Sequence, residues 1–232
     1  REGFLLLVPN GTGLRGGDLA GDRQAWKDLR GNDNRRRSTR DDVAFLIAVL
    51  DWAIKHQGID RSRLCVTGSS NGGMMTMRLL VEKPERFAAG VAFIASLPAK
   101  EVPRPAAAVP IMLCNGTEDP LVRWQGGAVA RRGAPSRAVE KTLDFWLQAN
   151  GLSREKGVTR ALPDRNPDDG CRLHLTSYPA PRGGPPPVLF YRVEGGGHCM
   201  PDPKAPRRSA LLRRLLGPQC RDAHGVELAW QF

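Results

Sequence analysis

Three residue types in this sequence can do chemistry together: a serine in a glycine turn, Ser70, an aspartate before a proline, Asp119, and a histidine behind three glycines, His198. Serine alone is a poor nucleophile and needs a base within hydrogen-bond reach. Histidine supplies that base near neutral pH. A carboxylate on the far side of the ring fixes its tautomer and stabilises the imidazolium. Ser70 stands in Gly68-Ser69-Ser70-Asn71-Gly72, a G-x-S-x-G pattern between the apolar run Cys65-Val66-Thr67 and a Met-rich helical pattern. That order predicts strand, sharp turn, helix. A serine at such an apex has a strained backbone, and side chains two positions to either side are expected to collide, hence Gly68 and Gly72. Asn71 opens the helix, so its N–H and the helix's positive end point at the apex and can steady a developing oxyanion. A plain Gly/Ser loop has the same composition. The flanking strand and helix favour a displayed nucleophile.

The other two assignments have rivals. Asp119 can be read as a simple Asp-Pro turn residue. Glu118 competes with it as the acid, and Asp164, Asp168 and Asp169 stand further behind. His198 follows Gly195-Gly196-Gly197, a backbone built to turn tightly and approach something. His56, His174 and His224 read as structural or solvated. The chain order Ser, Asp, His is that of α/β-hydrolases, distinct from the orders in the chymotrypsin and subtilisin folds.

The elements that must position these groups read as follows. Residues 4–8 predict a buried strand ended by Pro9-Asn10-Gly11. Residues 10–37 form a long loop anchored by Trp26. Ser38 or Thr39 caps a helix with Asp41 and Asp42 in its first turn and one apolar face, Val43, Leu46, Ile47, Leu50 and Ile54, closed by Gly58. Strands are expected at 63–67, 87–94, 111–114 and 188–193, with a strand-like patch at 171–177. Helices are expected from Asn71 to about Lys83, buried on most sides, and from 137 to 150. The tail, 209–216 and 223–231, reads as helical. Residues 98–110 and 163–187 read as loops. Continuous apolar strands alternating with helices predict a mostly parallel α/β sheet covered on both faces. Working groups in such sheets sit at the carboxyl ends of strands, where Ser70, Asp119 and His198 all fall.

The 232 residues suffice for one sizeable core and predict one domain, 1–232. Hydrophobic content of 41% and charged content of 25% describe a globular chain. No run of about eighteen apolar residues predicts a membrane span. The net charge is +11, but the arginines are scattered over loops and helices without a nucleic-acid motif, so no nucleic-acid partner is expected. Of the five cysteines none has C-x-x-C spacing, which disfavours zinc. Cys65 and Cys114 read as small buried hydrophobes. Cys199 and Cys220 lie in polar, loop-like surroundings and are expected to pair, as fits an extracellular or periplasmic protein.

Val66-Thr67-Gly68-Ser69-Ser70-Asn71-Gly72-Gly73-Met74-Met75 resembles the nucleophile segment of the esterases that include polyhydroxybutyrate depolymerases and feruloyl and acetylxylan esterases. Asn115-Gly116-Thr117-Glu118-Asp119-Pro120, with Gly126-Gly127, resembles that family's acid loop. Glu194-Gly195-Gly196-Gly197-His198-Cys199-Met200-Pro201 resembles its His loop, with Met200 where a Trp commonly precedes the proline. Arg1-Glu2-Gly3-Phe4, Val8-Pro9-Asn10-Gly11 and Asp41-Asp42-Val43-Ala44-Phe45-Leu46 also match, so the likeness runs over nearly the whole chain. It implies an α/β-hydrolase with Ser70 as nucleophile, Asp119 as acid, His198 as base, an ester substrate and no cofactor. Trp26 is implied as a substrate contact.

One departure matters. The family carries a Leu-His-Gly-type segment before the strand that opens this sequence, and its N–H is half of the oxyanion hole. Its absence has three explanations. The sequence begins inside a longer chain, whose first sheet strands are then missing here too. The piece is a separate chain. Or Gly11 to Gly13 supply a substitute donor. The first is favoured. A serine esterase is the leading expectation; a non-catalytic hydrolase-like domain and a serine peptidase of the same fold are the alternatives.

Overall fold

The computed structural model describes residues 3–11, 24–30, 41–131, 133–179, 188–206 and 208–232. Ser38 and Thr39, Gly13 and most of the Pro-rich 179–187 stretch lie outside them. A six-stranded sheet in the order β1-β2-β3-β8-β7-β6 organises the chain. Strands β1 (Cys65–Ser69), β2 (Ala89–Phe93), β3 (Ile111–Gly116) and β8 (Val188–Glu194) run parallel. Strands β7 (Arg172–Tyr178) and β6 (Val158–Ala161) continue it antiparallel. A two-stranded ribbon, β4 (Gly127–Ala128) with β5 (Pro135–Ser136), lies apart.

Strict alternation along β3 and β8 divides the interior in two. Ile111, Leu113, Val188 and Phe190 face one core, which helices α1 (Asp42–Gln57), α2 (Asn71–Glu82) and α3 (Val139–Ala149) close with Val43, Met74, Met77, Leu80, Leu143 and Trp146. Met112, Cys114, Tyr191 and Val193 face the other, closed by Leu173, Cys171, Cys220, Ala223 and Leu228 of helix α5 (Gly225–Gln231). Both faces of the central strands are therefore buried, which is why they read in sequence as continuous apolar runs. Helix α4 (Ala210–Leu216) starts at Ser209, whose side chain caps Leu212 N–H.

Three expectations need correction. Asp41, not Ser38 or Thr39, caps α1: its side chain accepts from the N–H groups of Val43 and Ala44, and Gly58 in the left-handed conformation ends the helix. Residues 4–8 form no strand, and Phe4, Leu6 and Val8 are exposed. A strand exists only where a neighbour offers ladder partners; this run pairs with none among the described residues, and Phe4 lies instead against Trp230, with ring centroids 5.3 Å apart. Cys65, read as buried, sits at the start of β1, whose exposed and half-buried residues alternate and which is an edge of the sheet among the described residues. Strand β6 was not foreseen, since Val158-Thr159-Arg160-Ala161 is exposed along its whole length and carries no burial pattern.

Candidate active site

Ser70 stands at the end of β1 and immediately before α2, with φ 54° and ψ −118°. That backbone is sparsely populated for any residue with a side chain and costs of order 1–3 kcal/mol, which the surrounding structure must over-determine. Its N–H donates to the Phe93 carbonyl at 2.9 Å, and its carbonyl accepts from Met74 N–H at 2.9 Å. The glycine requirement differs from expectation. A Cβ on Gly68 would lie 2.4 Å from the Gly72 carbonyl carbon and oxygen, and one on Gly73 would lie 2.7 Å from the Ala95 Cβ. A Cβ on Gly72 would meet nothing within 4 Å. The tight approaches are therefore made at Gly68 and Gly73, while Gly72 faces open space.

Asp119 lies just past β3. One carboxylate oxygen, Oδ1, accepts from the N–H groups of Leu121 and Val122, both at 2.8 Å. The other, Oδ2, is 2.7 Å from His198 Nδ1. The side chain is almost wholly buried, at 1% exposure, and that of His198 nearly so, at 9%. His198 follows β8, and its Nε2 is 2.9 Å from Ser70 Oγ. The structure thus brings the three sequence-nominated residues into one continuous line of hydrogen bonds, from carboxylate through imidazole to hydroxyl. Glu118 is not part of that line. Asp169 and Asp222 are turned to other work, accepting backbone N–H groups around Cys171, Arg221, Arg165 and Asn166. His174 and His224 approach Glu194 and Asp202 instead.

Two supports escaped sequence reasoning. The first is the Asn71 side chain. Its Oδ1 accepts from Trp26 N–H at 2.7 Å, and its Nδ2 donates to the Trp26 carbonyl at 3.0 Å and to Asp28 Oδ2 at 2.7 Å. Asp28 is buried and also pairs with Arg30 at 2.7 Å. Asn71 therefore clamps the 24–30 segment to the serine turn while its own N–H, first in α2, has no partner inside the helix. Trp26, implied as a substrate contact, is held at its backbone by this clamp and packs against the first core. A polar residue at the head of a largely apolar helix was the only signal for the clamp.

The second support is the tail. Gly197 N–H donates to the Pro218 carbonyl at 2.8 Å and His198 N–H to the Leu216 carbonyl, while Gln219 Nε2 donates to the Met200 carbonyl at 2.7 Å. A Cβ on Gly197 would lie 2.3 Å from the Leu216 oxygen. Gly197 thus admits residues 216–218 against the loop. Cys199 and Cys220, expected as a pair, are free thiols; Cys199 Sγ donates to the Pro218 carbonyl at 3.1 Å.

Against known proteins, residues 1–98 match the prolyl oligopeptidase family. The chain is 28% identical over 236 residues to NocK of Nocardia uniformis subsp. tsuyamanensis, described as a candidate esterase, covering 91% of this chain and 64% of that protein. It is 45% identical over 51 residues to acetylxylan esterase A of Emericella nidulans, 22% of this chain and 16% of that one. It is 34% identical over 91 residues to acylamino-acid-releasing enzyme 1 of Oryza sativa subsp. japonica, 39% of this chain and 11% of that one. Among solved structures, the acetyl xylan esterase from Aspergillus awamori superposes with a TM-score of 0.48 at 16% identity, over 68% of this chain and 62% of that one. The chain spans less than two thirds of the length of these relatives. A mostly parallel sheet with a serine turn at a strand end, and these likenesses in sequence, describe an α/β-hydrolase-like fold. Its likenesses in sequence are to esterases and to the prolyl oligopeptidase family.

Proposed function

We propose that this chain hydrolyses carboxylic esters through an acyl-enzyme formed on Ser70. The observation that carries the reading is the pair of contacts made by His198, 2.9 Å to Ser70 Oγ and 2.7 Å to Asp119 Oδ2. His198 Nε2 takes the hydroxyl proton as Ser70 attacks the ester carbonyl. Asp119, buried beside the ring, steadies the imidazolium and holds Nδ1 as donor. The Asn71 N–H faces the developing oxyanion, a role in which one donor is worth on the order of 100- to 1000-fold in rate. His198 then protonates the leaving alcohol and activates water for deacylation. Acetyl, feruloyl and polyhydroxyalkanoate-type esters are the substrate classes of this reading, and an extracellular or periplasmic setting belongs to it.

A serine peptidase of the same fold is the second reading, favoured by the prolyl oligopeptidase match and by the acylamino-acid-releasing relative. A panel of p-nitrophenyl acetate and butyrate beside acyl-peptide anilides separates the two, with the esters turned over faster on the esterase reading. Ser70→Ala is expected to fold unchanged and to lose hydrolysis by about 10⁶-fold. Full activity in that variant overturns the assignment.

A further inference from the structure

Two buried thiols outside the Ser70 line meet where the tail joins the sheet. Cys171, at the head of β7, has no exposed surface, and Cys220 is 2% exposed. Their sulfurs and a carboxylate oxygen of Asp169 all lie within 4.8 Å of one another. Asp169 holds the two strands of chain in register. Its Oδ1 accepts from the N–H of Cys171 and its Oδ2 from the N–H of Arg221, the residue after Cys220, each at 2.7 Å. Contact with the Cys220 thiol, and then burial, push the Cys171 thiol well above the usual cysteine range.

Two chemistries use such a cluster. A tetrahedral metal site takes four ligands, but only Asp169, Cys171 and Cys220 gather here, and no fourth side chain completes a tetrahedron among the described residues. A disulfide needs only two facing thiols. We propose that Cys171 and Cys220 form a disulfide bond in the mature protein. The partner is not Cys199, whose sulfur is engaged with the Pro218 carbonyl.

The bond forms by exchange with a small or protein disulfide, R–S–S–R. One cysteine, as thiolate, attacks a sulfur of R–S–S–R and releases the first R–S⁻, which is protonated. The second cysteine, as thiolate, attacks the mixed disulfide and releases the second. The cysteine pair loses two electrons and two protons, and the oxidant becomes two R–SH. Because the folded Cys171 thiol resists ionisation, exchange runs during folding, before the site closes.

The bond joins both sides of the His198 loop. Cys220 follows the 216–218 run on which that loop rests, and its carbonyl accepts from Asp202 N–H at 3.0 Å. Gly195, in the same loop, packs against the Gly170 carbonyl next to Cys171. Closing a loop of roughly fifty residues is expected to raise Tm by on the order of 10 °C.

The test is refolding of the full chain in a buffer of oxidised and reduced glutathione, alkylation of remaining thiols, and peptide mapping without reductant. The expected map holds a crosslink between the Cys171 and Cys220 peptides, with Cys65, Cys114 and Cys199 alkylated. Reductant then lowers Tm by on the order of 10 °C in the wild type and in Cys199→Ser, and leaves a Cys171→Ser, Cys220→Ser double variant unchanged. Five alkylated cysteines after refolding, a Cys199–Cys220 crosslink, or stoichiometric zinc lost to a chelator together with the thiol contact would overturn the proposal.

Discussion

Replacing Asp119 by asparagine asks the most of the site's geometry. The two carboxylate oxygens do separate work: Oδ1 accepts from Leu121 and Val122 N–H, and Oδ2 faces His198 Nδ1. In Asp119→Asn the single carbonyl oxygen must serve the two backbone donors, since leaving either unpaired in a buried site costs about 1–3 kcal/mol. The NH₂ group is then turned toward Nδ1. A donor there forces Nδ1 to accept and moves the ring proton to Nε2, which faces Ser70 Oγ and can no longer take its proton. The expected loss in kcat is about 10⁴-fold, or roughly 5 kcal/mol of transition-state stabilisation, with KM little changed. Stability should hold within about 1 kcal/mol, because the backbone donors keep their acceptor. Steady-state hydrolysis of p-nitrophenyl butyrate, with a thermal melt of the same sample, reads both quantities. Glu118→Gln, changing the neighbouring acid outside the line, should keep wild-type rates. A folded Asp119→Asn enzyme within tenfold of wild type would refute the reasoning.

Gly72→Ala should raise stability by about 0.5–1 kcal/mol, since its Cβ enters open space within a helix, whereas Gly73→Ala should lower it by about 1–3 kcal/mol through the Ala95 contact; urea melts distinguish them. Asn71→Ala keeps the backbone N–H but removes both hydrogen bonds to the Trp26 backbone, so amide exchange at Trp26 should accelerate by at least tenfold, and unchanged protection would refute the clamp. Burial raises the Asp222 carboxyl above its ordinary value of 3.8. The folded state then binds more protons than the unfolded, so the Asp222 contribution falls as pH rises from 3.8 through the raised folded value. Asp222→Asn should remove that decline from stability measured against pH, and an unaltered profile would count against it.

How much of this was legible depended on whether a feature was local. The parallel strands β2, β3 and β8 announce themselves as unbroken apolar runs because both their faces are buried. Asp119 and His198 could be nominated because each follows such a run in a turn, and Ser70 because its strand runs into a glycine turn ahead of a helix. Exposed β6 has no pattern to read. Residues 4–8 carry the pattern of a strand but no pairing partner among the described residues. The Asn71 clamp joins positions 45 residues apart, and composition cannot report such a contact. The same holds for Cys220, whose neighbour Cys171 is set by the sheet and not by the polarity of its loop.

The central claim, that Ser70 is an activated nucleophile, is tested most directly by fluorophosphonate labelling with peptide mapping. A single adduct on Ser70 is expected in the wild type, with none in Ser70→Ala and a greatly slowed reaction in His198→Ala. A folded wild-type chain that stays unlabelled, or carries its adduct on another serine, would contradict it.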